Sequence, residues 1–329
     1  MPIRREQPRP DKSAGPFRRA LQYAYYDWTR EMPTSKRVIT WAGILMQGWA
    51  IWSCISRSLV WPVMWPHGIL LYASVGLIYI VGTGLMNGML TSEFVRKTQL
   101  EADQIAARQI QQTLQPGKLD ELPGYELETF YKPFREVGGD YFDVIELEGQ
   151  RTLFAVADVS GKGMPAALLA ANIQALVRSS ASFEADPLAL ARRINRHLSR
   201  YTPSDRFATA VFIVLSRTSG ELTYVNAGHN APIVFGSGSA IALEATGMPL
   251  GLFPEAAYEA RTGHLAPGGA LLVFTDGLTD AISGENAENR LRDALAGSSC
   301  RTMSTLQSLV DPEFNEDDVT ILLVKRGAP

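Results

Sequence analysis

Aspartates beside glycines and at the ends of apolar segments are the residues best suited to chemistry in this sequence. Asp140 lies in VGGDYFD, Asp158 in TLFAVADV and Asp276 in ALLVFTDG, while Asp317 and Asp318 open DDVTILLV. A carboxylate next to a buried strand is unfavourable unless a counter-charge offsets it. One such aspartate commonly caps a turn, but several together, at strand ends that can meet at one edge, favour a shared divalent cation.

The types of these ligands predict the metal and the reaction. Carboxylates without histidine or cysteine favour Mg²⁺ or Mn²⁺ over Zn²⁺, and the neighbouring glycines leave room for backbone carbonyls and water. Two such ions about 3.5–4 Å apart would generate a hydroxide nucleophile from a bridging water and would bind a phosphoryl group. The sequence therefore predicts hydrolysis of a phosphomonoester without a covalent intermediate.

The segments that carry these aspartates predict an α+β domain over residues 118–329. Runs rich in β-branched and aromatic residues, among them YFDVIEL, FATAVFIVL and ELTYVNAG, predict strands. The segments MPAALLAANIQALVRSSA and PLALARRINRHLSRY predict helices. Strands outnumber helices and several are close enough in sequence to form hairpins, which favours a largely antiparallel sheet system.

The N-terminal part of the chain has a different composition. Residues 1–37 are basic, and residues 38–55 and 69–90 contain no charged side chain. A helix needs about 20 apolar residues to cross a bilayer, and the intervening WPVMWPHG predicts a turn. We expect a transmembrane helical hairpin over residues 38–90, with two buried core helices as the alternative. Lysine and arginine in both flanks place both ends in the cytoplasm, as in a multi-pass protein of the inner membrane.

Residues 91–117 connect the two parts and predict a helix that ends at a Pro-Gly pair. Leu100, Ala107 and Leu114 recur at intervals of seven, which is the spacing of a short parallel coiled coil. The segment therefore predicts either a contact between two copies of the chain in a homodimer or an ordinary exposed linker helix.

The bulk composition excludes several other classes. The 329 residues are 46% hydrophobic and 20% charged, which is typical of a folded protein. A net charge of −3 offers no basic face for nucleic acid. The two cysteines, Cys54 and Cys300, are too far apart in sequence to suggest a disulfide framework or a zinc site.

Seven segments in order along the chain resemble the PPM (protein phosphatase 2C-like) family of serine/threonine phosphatases, in its bacterial SpoIIE/RsbU-like branch. They are REVGGDYFDV, VADVSGKGMPAALLAA, FATAVFIV, NAGHNAP, GMPLGL, FTDGLTDA and EDDVTILLV. The resemblance implies an α-β-β-α sandwich with two manganese or magnesium ions between its sheets. It also implies a phosphoserine or phosphothreonine substrate on a regulatory protein, notably an anti-sigma-factor antagonist, and thus signal transduction through sigma-factor regulation.

The same resemblance implies roles for individual residues. The implied metal ligands and catalytic residues are Asp140, Asp158, Asp276 and Asp317, with the main-chain carbonyl of Val159 as a further ligand. The neighbouring or alternative positions are Asp143, Asp318, Gly139, Ser160, Gly161 and Gly277, and Arg135 is a candidate for binding phosphate. Eukaryotic relatives hold a histidine, a suggested general acid, where this chain has Ser160, so protonation of the leaving group is unassigned.

Two motif residues and the linker lead to further expectations. His229 in NAGHNAP favours a turn-stabilising role, because a hard-metal site has no need of imidazole. Lys162 in SGKG could attract phosphate, although the spacing of a P-loop is absent. Members of the branch are often switched by an N-terminal sensor through a helical linker, so we expect the hairpin to act on the metal site through residues 92–115.

Two rival functions remain open from the sequence. VGGDYFD resembles the GGD signature of diguanylate cyclases, but the Glu-Phe that follows GGD in those enzymes is missing and FTDG and EDDVT would have no role. The alternative outside enzymes is a catalytically degenerate phosphatase-like module that docks a partner at the membrane. The intact set of carboxylates argues against it, because a scaffold has no reason to keep such unfavourable groups.

Overall fold

The computed structural model describes residues 45–49, 51–53, 66–114, 116, 122–181, 186–203, 205–236, 239–280, 282, 291–292, 295, 302–308 and 317–328, with only the backbone given for 66–73. The chain divides into two compact units, Met1–Leu100 and Glu101–Pro329. The predicted basic segment 1–37 and most of the predicted first span 38–55 lie outside the described residues.

A long helix, α1, runs over Pro66–Leu114. It contains the predicted second span and the predicted linker without a break, because residues 91–114 include neither glycine nor proline to end it. Within the part of the chain that the structure describes, one helical stretch, Ser74–Leu114, is long and apolar enough to cross a membrane. Its helical character confirms the secondary-structure prediction, while the two-helix transmembrane hairpin stays a prediction.

The second unit contains two five-stranded antiparallel sheets. Sheet A has the order β1 (Tyr125–Lys132), β10 (Val319–Arg326), β9 (Ala270–Phe274), β6 (Ile233–Gly236) and β7 (Ser239–Ala242). Sheet B has the order β2 (Tyr141–Leu147), β3 (Arg151–Val159), β4 (Ala208–Ser216), β5 (Glu221–Ala227) and β8 (Arg261–His264). Sheet B pairs strands that are mostly consecutive, whereas sheet A brings together strands from both ends of the domain.

Two helices cover the outer face of sheet B. Helix α2 spans Met164–Ala181 and helix α3 spans Pro187–Tyr201, the same bounds that the sequence predicts. Helix α3 begins sharply because Asp186 accepts hydrogen bonds from the first free N–H groups and Pro187 has the backbone angle of a first turn. Two short helices, α4 (Asp276–Asp280) and α5 (Met303–Ser308), lie against sheet A.

Three apolar layers hold the domain together. Phe154, Ile213 and Leu322 belong to the layer between the two sheets. Ile173 and Ile194 of α2 and α3 pack on the outer face of sheet B, and a third layer joins sheet A to α4 and α5. This arrangement confirms the predicted α+β sandwich, and it brings the ends of strands from both sheets to one edge.

Candidate active site

Asp140 is buried directly before β2, and its carboxylate connects the two sheets. Its Oδ2 accepts hydrogen bonds from Thr275 Oγ1 at 2.8 Å and from Thr320 Oγ1 at 2.6 Å. Both hydroxyls come from sheet A, since Thr320 lies on β10 and Thr275 follows β9, whereas Asp140 leads into sheet B. Burial raises the pKa of Asp140 well above its usual value, and the nearby charge of Asp158 raises it further.

Asp158 lies on β3, one residue before the strand ends, and is surrounded by acidic side chains. Burial raises the pKa of Asp158 to about 7. The charges that add to this rise are those of Asp276, Asp317 and Asp318, while a hydrogen bond with Asp140 lowers the pKa. Carboxylates raise one another's pKa only at short range, so separate segments of the chain converge at this edge.

Asp276 is the first residue of α4, whereas the sequence predicted it at the end of a strand. The strand β9 ends two residues earlier and the chain turns at once into a helix. A Cβ atom at Gly277 would lie 2.0 Å from the carbonyl oxygen of Asp318, so this turn requires glycine. Burial, followed by the charge of Asp317, raises the pKa of Asp276, and the ammonium of Lys162 acts in the opposite direction.

Asp317 and Asp318 have different partners. The buried Asp318 accepts hydrogen bonds from the N–H of Phe134 at 2.7 Å and of Gly139 at 2.6 Å, which fixes the loop before Asp140. Asp317 is about one-third exposed, and its Oδ2 lies 2.8 Å from Lys162 Nζ. Backbone N–H groups therefore bind both oxygens of Asp318, whereas Asp317 accepts one backbone N–H at Oδ1 and keeps Oδ2 for the ammonium of Lys162.

The donors in this cluster fit divalent cations. The side chains are carboxylates only, which suits Mg²⁺ or Mn²⁺, and each of the four with a resolved shift has a raised pKa for which a bound cation would compensate. Among the described residues, no three acidic, histidine or cysteine side chains already enclose a metal position. The cluster thus has the charge and chemistry for metal binding, and its side chains must adjust to complete a site.

The carbonyl of Val159 lies beside the loop that carries Asp140. A Cβ atom at Gly139 would be 3.1 Å from the Val159 oxygen and 3.2 Å from the side chain of Ala166. A glycine at position 139 therefore lets the two segments approach closely, which leaves the Val159 oxygen close to the acidic edge.

The turn after Val159 is held by the segment that leads into β4. The N–H of Ser160 donates to the Phe207 carbonyl at 2.9 Å, and Ser160 Oγ accepts from the Phe207 N–H at 3.0 Å. Arg206 donates to the Ser160 carbonyl at 3.1 Å. Gly161 has φ +94°, a backbone conformation that residues other than glycine rarely adopt.

Asp143 belongs to a different environment from the acidic cluster. Its fully buried carboxylate accepts hydrogen bonds from Arg178 of α2 at 2.7 and 3.1 Å and from the hydroxyl of Tyr141 at 3.2 Å. It therefore fastens α2 to sheet B, and the place beside the metal ligands that the resemblance implies for it stays a prediction. Arg135 is exposed in the loop before Asp140.

The hydroxyl groups that support the cluster are not predicted by the sequence. Thr275 and Thr320 were visible only as polar residues within apolar strands. His229 is buried, and its Nδ1 lies 2.9 Å from the hydroxyl of Thr209, which stands opposite Asp158 in the β3–β4 register. Burial lowers the pKa of His229 to about 4, so the imidazole is neutral near pH 7. Its turn-stabilising role stays a prediction.

The C-terminal end of α1, within the second unit, contacts the loop before Asp140. The side-chain amide of Gln111 donates to the carbonyl of Gly138 at 2.7 Å and accepts from its N–H at 3.1 Å. Arg108 pairs with Glu136 of the same loop at 2.9 Å. The end of this helix therefore contacts backbone two residues from a predicted metal ligand.

Comparison with known proteins agrees with this geometry. The family model described as Stage II sporulation protein E (SpoIIE) matches residues 148–327. The chain is 24% identical over 209 residues to the phosphoserine phosphatase RsbP of Bacillus subtilis (strain 168), covering 60% of this chain and 52% of RsbP. The chain therefore spans about half the length of this curated relative.

Two solved structures share the fold. The structure of the RsbU and RsbW domains of Rv1364c from Mycobacterium tuberculosis matches with 30% identity and a TM-score of 0.56, over 63% of this chain and 61% of that one. The SiaA-PP2C domain of Pseudomonas aeruginosa matches with 22% identity and a TM-score of 0.58, over 70% of this chain and 98% of that one. Both matches agree with a sandwich of two sheets.

Proposed function

This chain belongs to the Stage II sporulation protein E (SpoIIE) family, and from that premise we propose that it is a metal-dependent protein serine/threonine phosphatase. The observation that carries the proposal is the convergence of aspartates from separate segments at one edge, where hydroxyls of sheet A donate to Asp140. The raised pKa of Asp158 beside it supports this. Such a cluster is stable at neutral pH when cations offset its charge. The named relative RsbP is a phosphoserine phosphatase, which supports a phosphomonoester as the substrate.

The chain's own residues position the proposed ligands, which are Asp140, Asp158, Asp276, Asp317 and the carbonyl of Val159. Two divalent cations, when bound, would lower the pKa of a water molecule and offset the charge of the phosphoryl group. The hydroxyls of Thr275 and Thr320 orient Asp140, and Asp318 fixes the loop before it. A cation held there would favour the ionised form of Asp158, whose pKa is raised to about 7 in the metal-free chain. Water is the simplest proton donor to the leaving group.

The proposed substrate is a phosphorylated regulatory protein of the anti-sigma-factor-antagonist type. The resemblance to the SpoIIE/RsbU-like branch supports this choice, as does the presence of an RsbU domain in the matched M. tuberculosis structure. The proposal excludes nucleic acid as a partner, because the net charge of −3 offers no basic surface of the required kind.

We further propose that the N-terminal part anchors the protein in the inner membrane with both ends in the cytoplasm. The uncharged stretch 69–90 lies within α1, and its described side chains are mostly exposed, as lipid contact would require. Gln47, in a short helical stretch of the first apolar segment, donates to the hydroxyl of Thr83 at 3.2 Å, which supports pairing of the two segments.

The end of α1 supports a coupling between the linker and the active site. The double hydrogen bond between Gln111 and Gly138 connects this helix to the loop that carries Asp140. A change in the position of the helix, whether from the membrane segment or from pairing of two copies, would therefore move a metal ligand. We propose a homodimer through Leu100, Ala107 and Leu114 as one way to set that position.

The direct test is hydrolysis of a phosphoserine peptide by the purified full chain. Activity should require Mn²⁺ or Mg²⁺ and disappear with a chelator, and Asp276→Asn should reduce kcat/KM at least about 100-fold, because a metal ligand is lost. Asp186→Asn is the matched control, since asparagine caps α3 as well as aspartate does. A full chain that binds a phosphoprotein but never hydrolyses it, with any divalent cation, would support the docking alternative instead.

A further inference from the structure

Lys162 is a positive side chain in direct contact with the acidic cluster. It lies in the turn between β3 and α2, and its Nζ is 2.8 Å from Asp317 Oδ2. The same ammonium acts to lower the pKa of Asp276. In the metal-free protein it therefore offsets part of the charge on two of the proposed ligands.

A metal ion bound by Asp317 would compete with Lys162 for the Oδ2 atom that the ammonium now contacts. A cation bound by Asp317 and Asp276 would stand next to the ammonium in its present position, and two positive charges at that separation repel strongly in a partly buried site. The ammonium of a lysine is also a compact point charge on a flexible side chain, so its ion pair lacks the fixed geometry of an arginine pair. The ammonium must therefore leave Asp317 when a cation binds there.

The surroundings of Lys162 allow that movement. Its side chain is 41% exposed, and Gly161 and Gly163 on either side have φ of +94° and +76° and bear no side chains that would confine it. The ammonium also lies 5.2 Å from the centre of the Phe134 ring, which is itself 43% exposed at the rim of the site. An aromatic face attracts a cation, so the lysine has a second favourable contact at the entrance.

We propose that Lys162 is a displaceable internal counter-ion that links metal binding to phosphate binding. It neutralises Asp317 when that ligand has no metal, and metal binding releases it toward the rim, where it contacts the substrate's phosphate. This inference rests on the proposed function and adds to it a residue that contacts the substrate. This role would explain why a lysine lies beside carboxylates that are proposed to bind a metal ion.

The proposal predicts opposite effects of one substitution on two ligands. In Lys162→Met, the full chain should bind Mn²⁺ about three- to tenfold more tightly, because a competing cation is removed. With Mn²⁺ saturating, the same variant should bind inorganic phosphate at least about threefold more weakly, because a charged contact is lost. Lys162→Arg should keep the charge and leave the Mn²⁺ affinity close to that of the unaltered chain.

Free Mn²⁺ measured by electron paramagnetic resonance gives the metal affinity, and competitive inhibition gives the phosphate affinity. Lys132→Met is the matched control, since it removes an exposed positive charge of β1 that makes no described contact with Asp317. Unchanged or weaker Mn²⁺ binding by Lys162→Met, or unchanged phosphate binding, would overturn the inference while leaving hydrolysis by the unaltered chain intact. If the unaltered chain neither binds Mn²⁺ nor hydrolyses a phosphomonoester, the proposed function and this inference both fail.

Discussion

The domain buries carboxylates in two ways, and the contrast supports the proposed site. Asp143, on the helix-covered side of sheet B, is paired within the chain by Arg178. Asp140 and Asp158, at the edge between the sheets, are buried among other acids and carry raised pKa values. The charge of Asp143 is balanced by an arginine of the same chain, whereas the charges of Asp140 and Asp158 would need a bound cation to balance them. Burial alone would not separate a structural acid from a functional one, but the origin of its counter-charge does.

The largest expected effect comes from Asp158→Asn, which should separate activity from stability. Hydrolysis should fall at least about 100-fold, because a shared ligand is lost. The metal-free protein should nevertheless keep or increase its melting temperature at pH 7.5, since a carboxylate that repels its neighbours has become neutral. Calorimetry in the presence of a chelator measures this. A clear loss of stability would mean that Asp158 resembles Asp143 after all.

Asp317 and Asp318 bring the same contrast to adjacent residues. Asp318→Asn should lower the free energy of unfolding by about 2–3 kcal/mol, because asparagine has one acceptor oxygen for the two N–H groups that now bind both oxygens of Asp318. Asp317→Asn should leave stability nearly unchanged but weaken Mn²⁺ binding at least about tenfold. Urea unfolding and Mn²⁺ titration of both variants measure the difference, and the reverse outcome would exchange the roles of the two residues.

Arg178→Met should expose the dependence of Asp143 on its partner. The substitution leaves a fully buried carboxylate without its cation, which we expect to cost about 2 kcal/mol, less than for a fully buried pair because Arg178 is half exposed. Mn²⁺ affinity should stay unchanged. The control Arg192→Met removes an exposed arginine of α3. A change in metal affinity would place Asp143 within the functional group.

The smallest expected effect is a pH dependence that the metal should reverse. Because the pKa of Asp158 is about 7 in the folded chain and near 3.8 when unfolded, its contribution is fully present below about pH 4 and is lost as pH rises through 7. The free energy of unfolding of the metal-free protein should therefore fall by about 1 kcal/mol over that range. This is less than an isolated group with the same shift would cause, because coupled carboxylates share their protons. Asp158→Asn should lose less, and saturating Mn²⁺ should make stability increase with pH. Chemical unfolding at several pH values measures all three.

Local signals predicted much of the fold. Short sequence segments determine where α2 and α3 begin and end, such as the cap Asp186 before Pro187. The β2–β3 and β4–β5 hairpins join strands that are neighbours in sequence. Where such signals were weak, the structure adds detail that the sequence did not provide. The predicted second span and linker form one helix because no glycine or proline separates them, and Asp276 begins a helix because Gly277 permits an abrupt turn.

The support around the site could not be predicted from local signals. The hydroxyls of Thr275 and Thr320 reach Asp140 only because β9 and β10 pair in sheet A and face the start of β2 across the sandwich. The pairs Lys162–Asp317 and Arg178–Asp143 likewise join segments far apart in sequence. Aspartates next to glycines marked the site, but the register and stacking of the sheets decide which of them carry a counter-charge.

The double hydrogen bond between Gln111 and Gly138 makes the end of α1 sensitive to rotation about its own axis. The amide group of a glutamine lies roughly 6–7 Å from the axis of its helix, given a Cα radius of about 2.3 Å. A twist of about 30° would carry that amide through about 3 Å and break both bonds, while the helix axis itself stayed in place. A torque transmitted along the helix would therefore reach the loop before Asp140 without any shift of the helix axis.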